Sequence, residues 1–293
     1  MKAAGWAQPL LWLVPALWSA NYLIARAADG VIAPHLLALC RWLLALLLMS
    51  PWVTRELIAR WPLWRLEWPQ LLVLGALGMW ICGAFVYQGA QSTSAANIAL
   101  MYAATPVGIA VAGVMLLHER MSAAPRIGVV LALLGVLFVI AKGQLLNLAA
   151  VQWTRGDLWI VAAALSWVAY SVLLKRWPSS LSPLPRLAAV IAGGIVVLLP
   201  FTAIESTLVD YPPWSAKAGM LVVMAALLPG VLSYGAYSFL QRELGASRTA
   251  LMLYLSPVYS AFGAWLVLGE RPLWYHAAGA ALILPSIWLA TRR

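Results

Sequence analysis

The sequence predicts an all-α integral membrane protein in which ten transmembrane helices form two inverted five-helix repeats around a central cavity. Hydrophobic residues make up 64% of the chain and charged residues only 10%, whereas a soluble domain carries about 25% charged residues. The mean hydropathy of +0.88 agrees with this class. From Trp68 to Leu117 there is no Asp, Glu, Lys, Arg or His, and this stretch is long enough for two membrane crossings of about 20 residues each.

The two halves of the chain resemble each other in sequence. A shift of 149 residues places Trp18 on Trp167 and Pro51 on Pro200. A shift of 151 residues places four further features of the first half on matching residues of the second: Ala99–Met101, Pro106, Glu119 and Gly128 fall on Ala250–Met252, Pro257, Glu270 and Gly279. Halves that each cross the bilayer an odd number of times have opposite orientations, as in secondary transporters whose solute site lies between the repeats.

Apolar segments separated by charged or Pro- and Gly-rich joints are the predicted helices. They are 8–26, 34–53, 68–90, 96–117, 124–141, 157–175, 186–204, 217–241, 247–268 and 273–291. Residues 1–142 form the first repeat, 143–156 a short linker and 157–293 the second repeat. The first segment is similar to a signal peptide, but its match to the segment around Trp167 indicates a retained helix.

The distribution of Lys and Arg predicts the orientation in the membrane. With the N-terminus in the cytoplasm, most basic residues of the joints lie on the cytoplasmic side, as the positive-inside rule requires. Both termini are then cytoplasmic in a multi-pass membrane protein. The same orientation places Glu119 on the inner face and Glu270 on the outer face.

The composition argues against several other classes of protein. The net charge of +10 would indicate a nucleic-acid partner in a soluble chain, but the basic loops of a membrane protein explain it, and no nucleic acid is expected. Cys40 and Cys82 lie inside apolar segments and predict neither a disulfide nor a metal site. No catalytic cluster of His, Asp, Glu, Ser or Cys falls at mid-span, so we expect neither an enzyme nor a cofactor.

Two sets of motifs recur in the halves. The fourth segment of each half contains Thr105-Pro106-Val107 or Ser256-Pro257-Val258, and about a dozen residues later the chain reads Leu117-His118-Glu119-Arg120 or Leu268-Gly269-Glu270-Arg271. The remaining features are the run Trp18–Tyr22, Arg41 in the second segment, and the glycines Gly128, Gly135 and Gly279. In these features the chain resembles the EamA-type branch of the drug/metabolite transporter superfamily.

The resemblance implies ten helices in two five-helix halves, with a central cavity lined by the first, third and fourth helices of each half. Within the superfamily, the aromatic content is most similar to that of YddG-type aromatic amino-acid exporters of bacterial inner membranes. Ser286 stands where the repeat would place a counterpart of Gly135. Close helix packing is therefore less expected at that position.

Polar and aromatic residues spaced three or four apart on the cavity helices are the candidate substrate-binding residues, because such residues share one helix face. They are Trp18, Asn21, Tyr22, Trp80, Tyr87, Gln88, Met101, Tyr102, Trp167, Tyr170, Tyr237 and Ser256. Three of them, Trp18, Trp80 and Trp167, lie at mid-span, where an indole N–H needs a partner in protein or in a wet cavity. Helix packing and interhelical hydrogen bonds are the alternative roles.

Pro106 and Pro257 are candidate hinges. Each lacks a backbone donor and frees the carbonyl of the residue four positions earlier, Tyr102 or Leu253. A kink of this kind either bends during alternating access or stays fixed and shapes the packing, and both interpretations are open.

Arg41 lies well inside a predicted span, where an arginine costs at least about 2.5–3.5 kcal/mol. It can bind a substrate carboxylate, pair with the carbonyl ends of neighbouring helices, or extend toward the outer surface. Glu119 and Glu270 lie between helices, where pairing with an arginine and stabilising the next helix N-terminus predicts an architectural role. Because no acidic residue falls at mid-span, we expect a cavity without an ionised wall at its centre and no carboxylate proton relay.

The sequence therefore predicts a transporter that exports amino acids, aromatic and other neutral ones among them, by alternating access down a gradient. Export of another small metabolite or of a cationic drug is the alternative, since Trp and Tyr faces also bind cations. A membrane sensor without flux also stays open. The expected partners are a small-molecule solute and the lipid bilayer, and the oligomeric state is open, with a monomer plausible.

Overall fold

A computed structural model describes residues 4–117, 123–144, 154–244 and 255–291 of the chain. Within these residues every regular element is helical. The helices are α1 (Ala4–Ala27), α2 (Pro34–Ala59), α3 (Trp61–Trp64), α4 (Trp68–Gly75), α5 (Cys82–Ala90), α6 (Ala95–Ala103), α7 (Thr105–Leu117), α8 (Ala123–Ile140), α9 (Arg155–Arg176), α10 (Pro183–Leu208), α11 (Ala216–Ala226), α12 (Ser233–Leu244), α13 (Ser256–Leu268) and α14 (Trp274–Thr291).

Five stretches of the described chain are long and apolar enough to cross a membrane. They are Pro34–Ala59, Trp61–Ala90, Arg155–Arg176, Pro183–Leu208 and Ala216–Tyr237. Ala95–Ile109 and Ser256–Leu268 are shorter apolar helices. Each predicted segment overlaps a described helix, although the bounds differ and the predicted segment 96–117 is divided into α6 and α7. The ten membrane spans and their division into two inverted repeats stay a prediction.

The second helix extends past the predicted end at residue 53 as far as Ala59. Its charged last turns continue the backbone hydrogen bonds beyond the apolar stretch, where water can solvate the side chains. Pro51 lies inside this helix and leaves the carbonyl of Leu47 without its usual donor. The Ser50 hydroxyl donates to that carbonyl at 2.7 Å, which satisfies it within the segment itself.

Two π-helical turns interrupt the long helices at corresponding places. Ala76–Ile81 joins α4 to α5, and Leu227–Leu232 joins α11 to α12. The two turns are 151 residues apart, which is the shift that relates the sequence motifs of the two halves. A π turn holds extra chain in a helix and changes the direction of the side chains that follow it.

The ends of α2 and α10 stabilise each other across the structure. Glu205, near the end of α10, accepts hydrogen bonds from the backbone N–H groups of His35 and Leu36 at the start of α2, at 3.1 and 3.2 Å. Glu56, near the end of α2, accepts from the backbone N–H of Ser182 just before α10, at 2.7 Å. Each carboxylate therefore caps the N-terminus of the other helix. The two helices are therefore antiparallel, and Glu56 and Glu205 are 149 residues apart.

Glycines set the closest helix contacts. A Cβ atom on Gly75 would lie 2.2 Å from the backbone nitrogen of Gly194, so α4 and α10 touch through their backbones. In the second contact, a Cβ on Gly135 of α8 would lie 2.6 Å from Ile283 and 3.3 Å from the carbonyl of Gly279 in α14. The helices therefore pack closely at Gly135, whose repeat-related position in the second half holds Ser286. The side chain of Ser286 lies outside the described residues.

Replacing Gly75 with leucine should destabilise the protein strongly, because the new side chain meets backbone that cannot move aside. Overpacking costs about 1–3 kcal/mol even where side chains can adjust, so we expect a fall of several degrees in the midpoint of thermal unfolding in detergent. Gly235→Leu is the matched control, since a Cβ there has nothing within 4 Å. Equal midpoints for the two variants would contradict the close contact of α4 with α10.

Candidate functional site

A cavity of about 640 Å³ lies between the helices, within the size range of small-molecule sites. Its walls come from α1, α2, α5, α6, α7, α9, α10, α12 and α13, from the two π turns, and from Leu181 just before α10. Aromatic side chains dominate the lining: Trp18, Tyr22, Trp42, Tyr102, Trp167, Tyr170, Tyr234 and Tyr237. Among them Trp18 packs against Tyr237 with ring centroids 5.1 Å apart, and Trp167 stacks on Tyr170 at 5.2 Å.

Eight of the candidate substrate-binding residues line this cavity, namely Trp18, Asn21, Tyr22, Tyr102, Trp167, Tyr170, Tyr237 and Ser256. The candidate hinge Pro106 also lines it, whereas Pro257 is buried beside it. Their side chains form one surface because the helices that carry them surround one space. A role in binding solute stays a proposal for all of them.

Four candidates lie outside the lining, which corrects the expectation from helical spacing. Trp80 stacks on Phe201 at 3.7 Å with nearly parallel rings, because it belongs to the π turn, where α-helical spacing does not apply. Gln88 donates to Gln91 at 2.7 Å near the end of α5, and Met101 is buried in the hydrophobic core. Tyr87 is buried too, and its hydroxyl contacts a cavity residue.

That contact belongs to a group of three side chains, of which Arg41 and Tyr87 are buried and Asn21 is half-buried. Nη1 of Arg41 donates to Oδ1 of Asn21 at 3.0 Å and to the hydroxyl oxygen of Tyr87 at 2.9 Å. The Tyr87 hydroxyl in turn donates to the same Asn21 oxygen at 3.1 Å. Arg41 lines the cavity and is only 5% exposed. Its guanidinium therefore neither reaches the surface nor pairs with helix carbonyls, two of the alternatives that the sequence left open.

The ring of Trp42 supports the Arg41 guanidinium from one side, with the central carbon 4.3 Å from the ring centroid. Such a contact favours a cation where water is scarce. Nε of Arg41 is buried without a hydrogen-bond partner. Of the two terminal nitrogens, only Nη1 forms a hydrogen bond within the described residues.

Arg186 is a second cation in the lining and was missed by sequence reasoning. Its Nη2 donates to the carbonyls of Leu174, at 3.1 Å, and Trp177 at the end of α9. The predicted segment began at Arg186 itself, but α10 begins at Pro183, so Arg186 lies a turn further inside. The pair Ser182-Pro183 was the available signal, because proline favours the first turn of a helix.

The lining is therefore positively charged. It contains two arginines and, within the described part of the chain, neither Asp nor Glu. This corrects the expectation of a cavity without an ionised wall. Tyr234 also lines the cavity and was detectable from sequence, since it lies three residues before Tyr237 on α12.

A polar cluster closes one end of the helix bundle away from the cavity. Arg26 at the end of α1 forms an ion pair with Glu270 at 2.8 Å and also donates to the carbonyl of Ala90. Glu270 accepts a hydrogen bond from the backbone N–H of Ala95, at 3.1 Å, where α6 begins. Ser260 of α13 donates to the Ala95 carbonyl at 3.0 Å. These contacts join the ends of α1, α5, α6 and α13.

Glu270 thus pairs with an arginine and contacts a helix N-terminus, in agreement with the architectural role expected from sequence. The helix is α6 of the other half, whereas the sequence suggested the helix that follows Glu270. A buried chain of hydrogen bonds lies at the same end and runs from Asp157 through Thr93 and Asn97 to His276. Glu119 lies outside the described residues.

The break before Pro106 is internally satisfied. α6 ends at Ala103 and α7 begins at Thr105, so the proline stands in the first turn of a new helix, where it is tolerated. The Thr105 hydroxyl donates to the carbonyl of Tyr102 at 2.7 Å. That carbonyl is the one that Pro106 leaves without a backbone donor. Leu253, the corresponding residue before Pro257, lies outside the described residues.

Comparison with known proteins gives one consistent result. The model of the EamA-like transporter family matches residues 5–141 and again residues 154–292. An uncharacterized transporter of Archaeoglobus fulgidus is 24% identical over 97% of this chain and 96% of its own length. A probable amino-acid metabolite efflux pump of Salmonella typhimurium is 25% identical over 94% of this chain and 92% of its own. A solved crystal structure covers 98% of the chain with a TM-score of 0.58 and 20% identity, and so shares the fold.

Replacing Thr105 with valine keeps the shape of the side chain but leaves the Tyr102 carbonyl without a donor. We expect a loss of about 1–3 kcal/mol in the free energy of unfolding, seen as a lower midpoint of thermal unfolding in detergent. Thr207→Val is the matched control. Its hydroxyl donates to the Ile204 carbonyl inside an exposed turn without a proline, so its midpoint should hardly change. A midpoint for Thr105→Val equal to that of the wild type would show that the carbonyl has another partner.

Proposed function

Because the chain belongs to the EamA-like transporter family, as the match of its family model to both halves shows, we propose that it exports amino acids by alternating access of the central cavity. The chain is a multi-pass membrane protein of the drug/metabolite transporter superfamily. The proposed solutes are aromatic and other neutral amino acids, and the proposed location is the inner membrane with both termini in the cytoplasm. One relative aligns with this chain over nearly the full length of both proteins and is named as a probable amino-acid metabolite efflux pump, which supports this choice.

The observation that carries the proposal is the aromatic cavity. Its volume of about 640 Å³ suits a small solute with an apolar side chain, and aromatic walls with a few polar groups are typical of such sites. Hydroxyl and amide groups of Tyr22, Asn21 and Ser171 in the lining can orient a polar head group. Another small metabolite of this size is the alternative solute. The two lining arginines speak against the cationic drug that the sequence had left open.

We further propose ten membrane-spanning helices in two inverted repeats, 1–142 and 157–293. Two structural observations support this arrangement. The π turns at Ala76–Ile81 and Leu227–Leu232 are related by the same shift as the sequence motifs. The caps that Glu56 and Glu205 make on α10 and α2 are reciprocal, as a two-fold relation between antiparallel halves requires.

In the proposed orientation, the Arg26–Glu270 cluster closes the outer end of the protein. The cavity reaches the opposite end, where Leu181 and Pro183 line it next to the start of α10. The structure then corresponds to a state that is closed outside and accessible from the cytoplasm. Opening to the outside requires that the Arg26–Glu270 contact breaks, with Pro106 and Pro257 as the proposed hinges.

The proposed function predicts exchange of labelled phenylalanine in proteoliposomes, measured as counterflow. Trp18→Ala should lower the exchange rate at least about tenfold, because a large aromatic wall of the cavity is lost. Trp12→Ala on the same helix is the control, since Trp12 is 57% exposed and should keep the wild-type rate. Wild-type protein that binds but does not exchange any of the twenty amino acids would instead indicate a sensor.

The proposed outer closure predicts a change in thiol accessibility. Cys82 lines the cavity and serves as a reporter once Cys40 is replaced by alanine. In this background Arg26→Gln should speed the reaction of Cys82 with a membrane-impermeant maleimide added from outside, because the ion pair no longer holds α1 to α13. Arg60→Gln, at an exposed position at the other end of the bundle, should leave the rate unchanged. An unchanged rate for Arg26→Gln as well would rule out this contact as the closure.

A further inference from the structure

We propose that Arg41 binds the carboxylate of the transported solute, and that the cavity therefore selects carboxylate-bearing molecules with an apolar or aromatic body. This inference rests on the proposed function, since it assigns the solute class of the same cavity.

The hydrogen bonds of Arg41 leave one edge of its guanidinium without an acceptor among the described residues. Nη1 is held by Asn21 and Tyr87, which fixes the plane and the direction of the group. Nε has no partner although it is buried, and Nη2 has no hydrogen bond to any described residue. Nε and Nη2 point the same way and form the fork that binds both oxygens of a carboxylate.

The charge of Arg41 is also left without compensation. The side chain is 5% exposed, and its contacts are an amide, a phenol and an indole ring, all of them neutral. No ion pair involves Arg41 within the described residues. A buried cation without a counter-charge is costly in a membrane protein. A carboxylate that enters the cavity supplies both the missing charge and the missing acceptors.

Arg186 shares the unpartnered, buried Nε with Arg41, but it differs in its terminal nitrogens and in its charge balance. Its Nη2 already donates to the carbonyls of Leu174 and Trp177, so the Nε–Nη2 edge that is unpartnered in Arg41 is half occupied in Arg186. The carboxylate of Glu67 acts on it electrostatically. Arg186 therefore holds the end of α9 against α10, and Arg41 is the lining cation that has neither a counter-charge nor an acceptor for its Nε and Nη2.

The lining offers no carboxylate to an ammonium group, because no acidic side chain among the described residues lines the cavity. Next to Arg41, the ring of Trp42 is already in contact with the guanidinium, so an ammonium group there would meet a like charge. The proposed solute class is thus apolar carboxylates, with or without an amino group. The carboxylate is required for binding, and the ammonium group is not.

Three ligands with the same phenyl ring test this requirement by calorimetry on the purified full-length protein in nanodiscs. They are 3-phenylpropionate, phenylalanine and phenethylamine, which carry a carboxylate, both charges, or an amine alone. We expect 3-phenylpropionate to bind at least as tightly as phenylalanine, and phenethylamine at least about tenfold more weakly than either, since a charge-assisted contact is lost. Phenethylamine that binds as well as 3-phenylpropionate would overturn the proposal, and so would a wild-type protein that binds none of the three.

Two substitutions separate charge from geometry. Arg41→Gln should abolish the preference for the carboxylate. Arg41→Lys keeps the charge but lacks the fork, and it should weaken 3-phenylpropionate less than Arg41→Gln but still several-fold. Arg186→Gln removes the same charge from the same cavity, and the preference should persist in it. If the preference disappears equally in the Arg41→Lys and Arg186→Gln variants, net charge alone explains the selectivity and Arg41 is not the anchor.

Folding and transport are controlled separately. Thermal midpoints identify a variant that does not fold, and the ligand ranking in the wild type still decides the proposal if Arg41→Gln is lost in this way. Phenylalanine counterflow without any carboxylate preference would leave the transporter intact and remove Arg41 as its anchor. A clear carboxylate preference without counterflow would support Arg41 as the binding residue and contradict the proposed transport.

Discussion

The buried guanidinium of Arg41 constrains the packing of the helices around the centre of this protein. A cation deep among apolar helices needs hydrogen-bond acceptors that the lipid cannot supply. Asn21 on α1 and Tyr87 on α5 provide them, and Trp42 covers one face of the group. The positions of three helices relative to one another are tied to this requirement. The surrounding cavity inherits a positive charge from the same side chain.

Backbone groups impose the second constraint, because a helix end inside an apolar protein leaves donors and acceptors unpaired. The chain meets this need with acidic side chains from distant segments. Glu205 and Glu56 cap α2 and α10, and Glu270 contacts the start of α6. Each of these carboxylates comes from a different helix or joint than the one that it caps. Helix termination and the packing of the two halves are therefore coupled.

Much of the helical architecture follows from the sequence, because long apolar runs leave few alternatives to membrane helices. Part of the cavity followed as well, since Trp18, Tyr22 and Tyr170 lie on helix faces that ordinary α-helical spacing describes. Trp80 did not follow, because the π turn that contains it has no signal in residue spacing.

Arg186 was missed through an error of three residues in one helix start. That error placed Arg186 at the membrane surface, whereas the structure places it in the lining of the cavity. Asn21 and Tyr87 were recognised as polar groups at depth, but only the structure shows that both hold Arg41. The sequence also left the role of Arg41 open, because no residue pattern reveals which of its nitrogens remain unbonded.

The proposed preference of the positive lining for carboxylates has an electrical consequence. In the proposed export, a solute that carries only a carboxylate would leave the cell as a monoanion, and a cytoplasm at negative voltage would push such an ion outward by about 2.3 kcal/mol per 100 mV. Export of that solute would then need no coupled proton and hence no titrating acid at mid-span. A zwitterion receives no such push, so the resting voltage of the cell itself would sort the two kinds of cargo by rate.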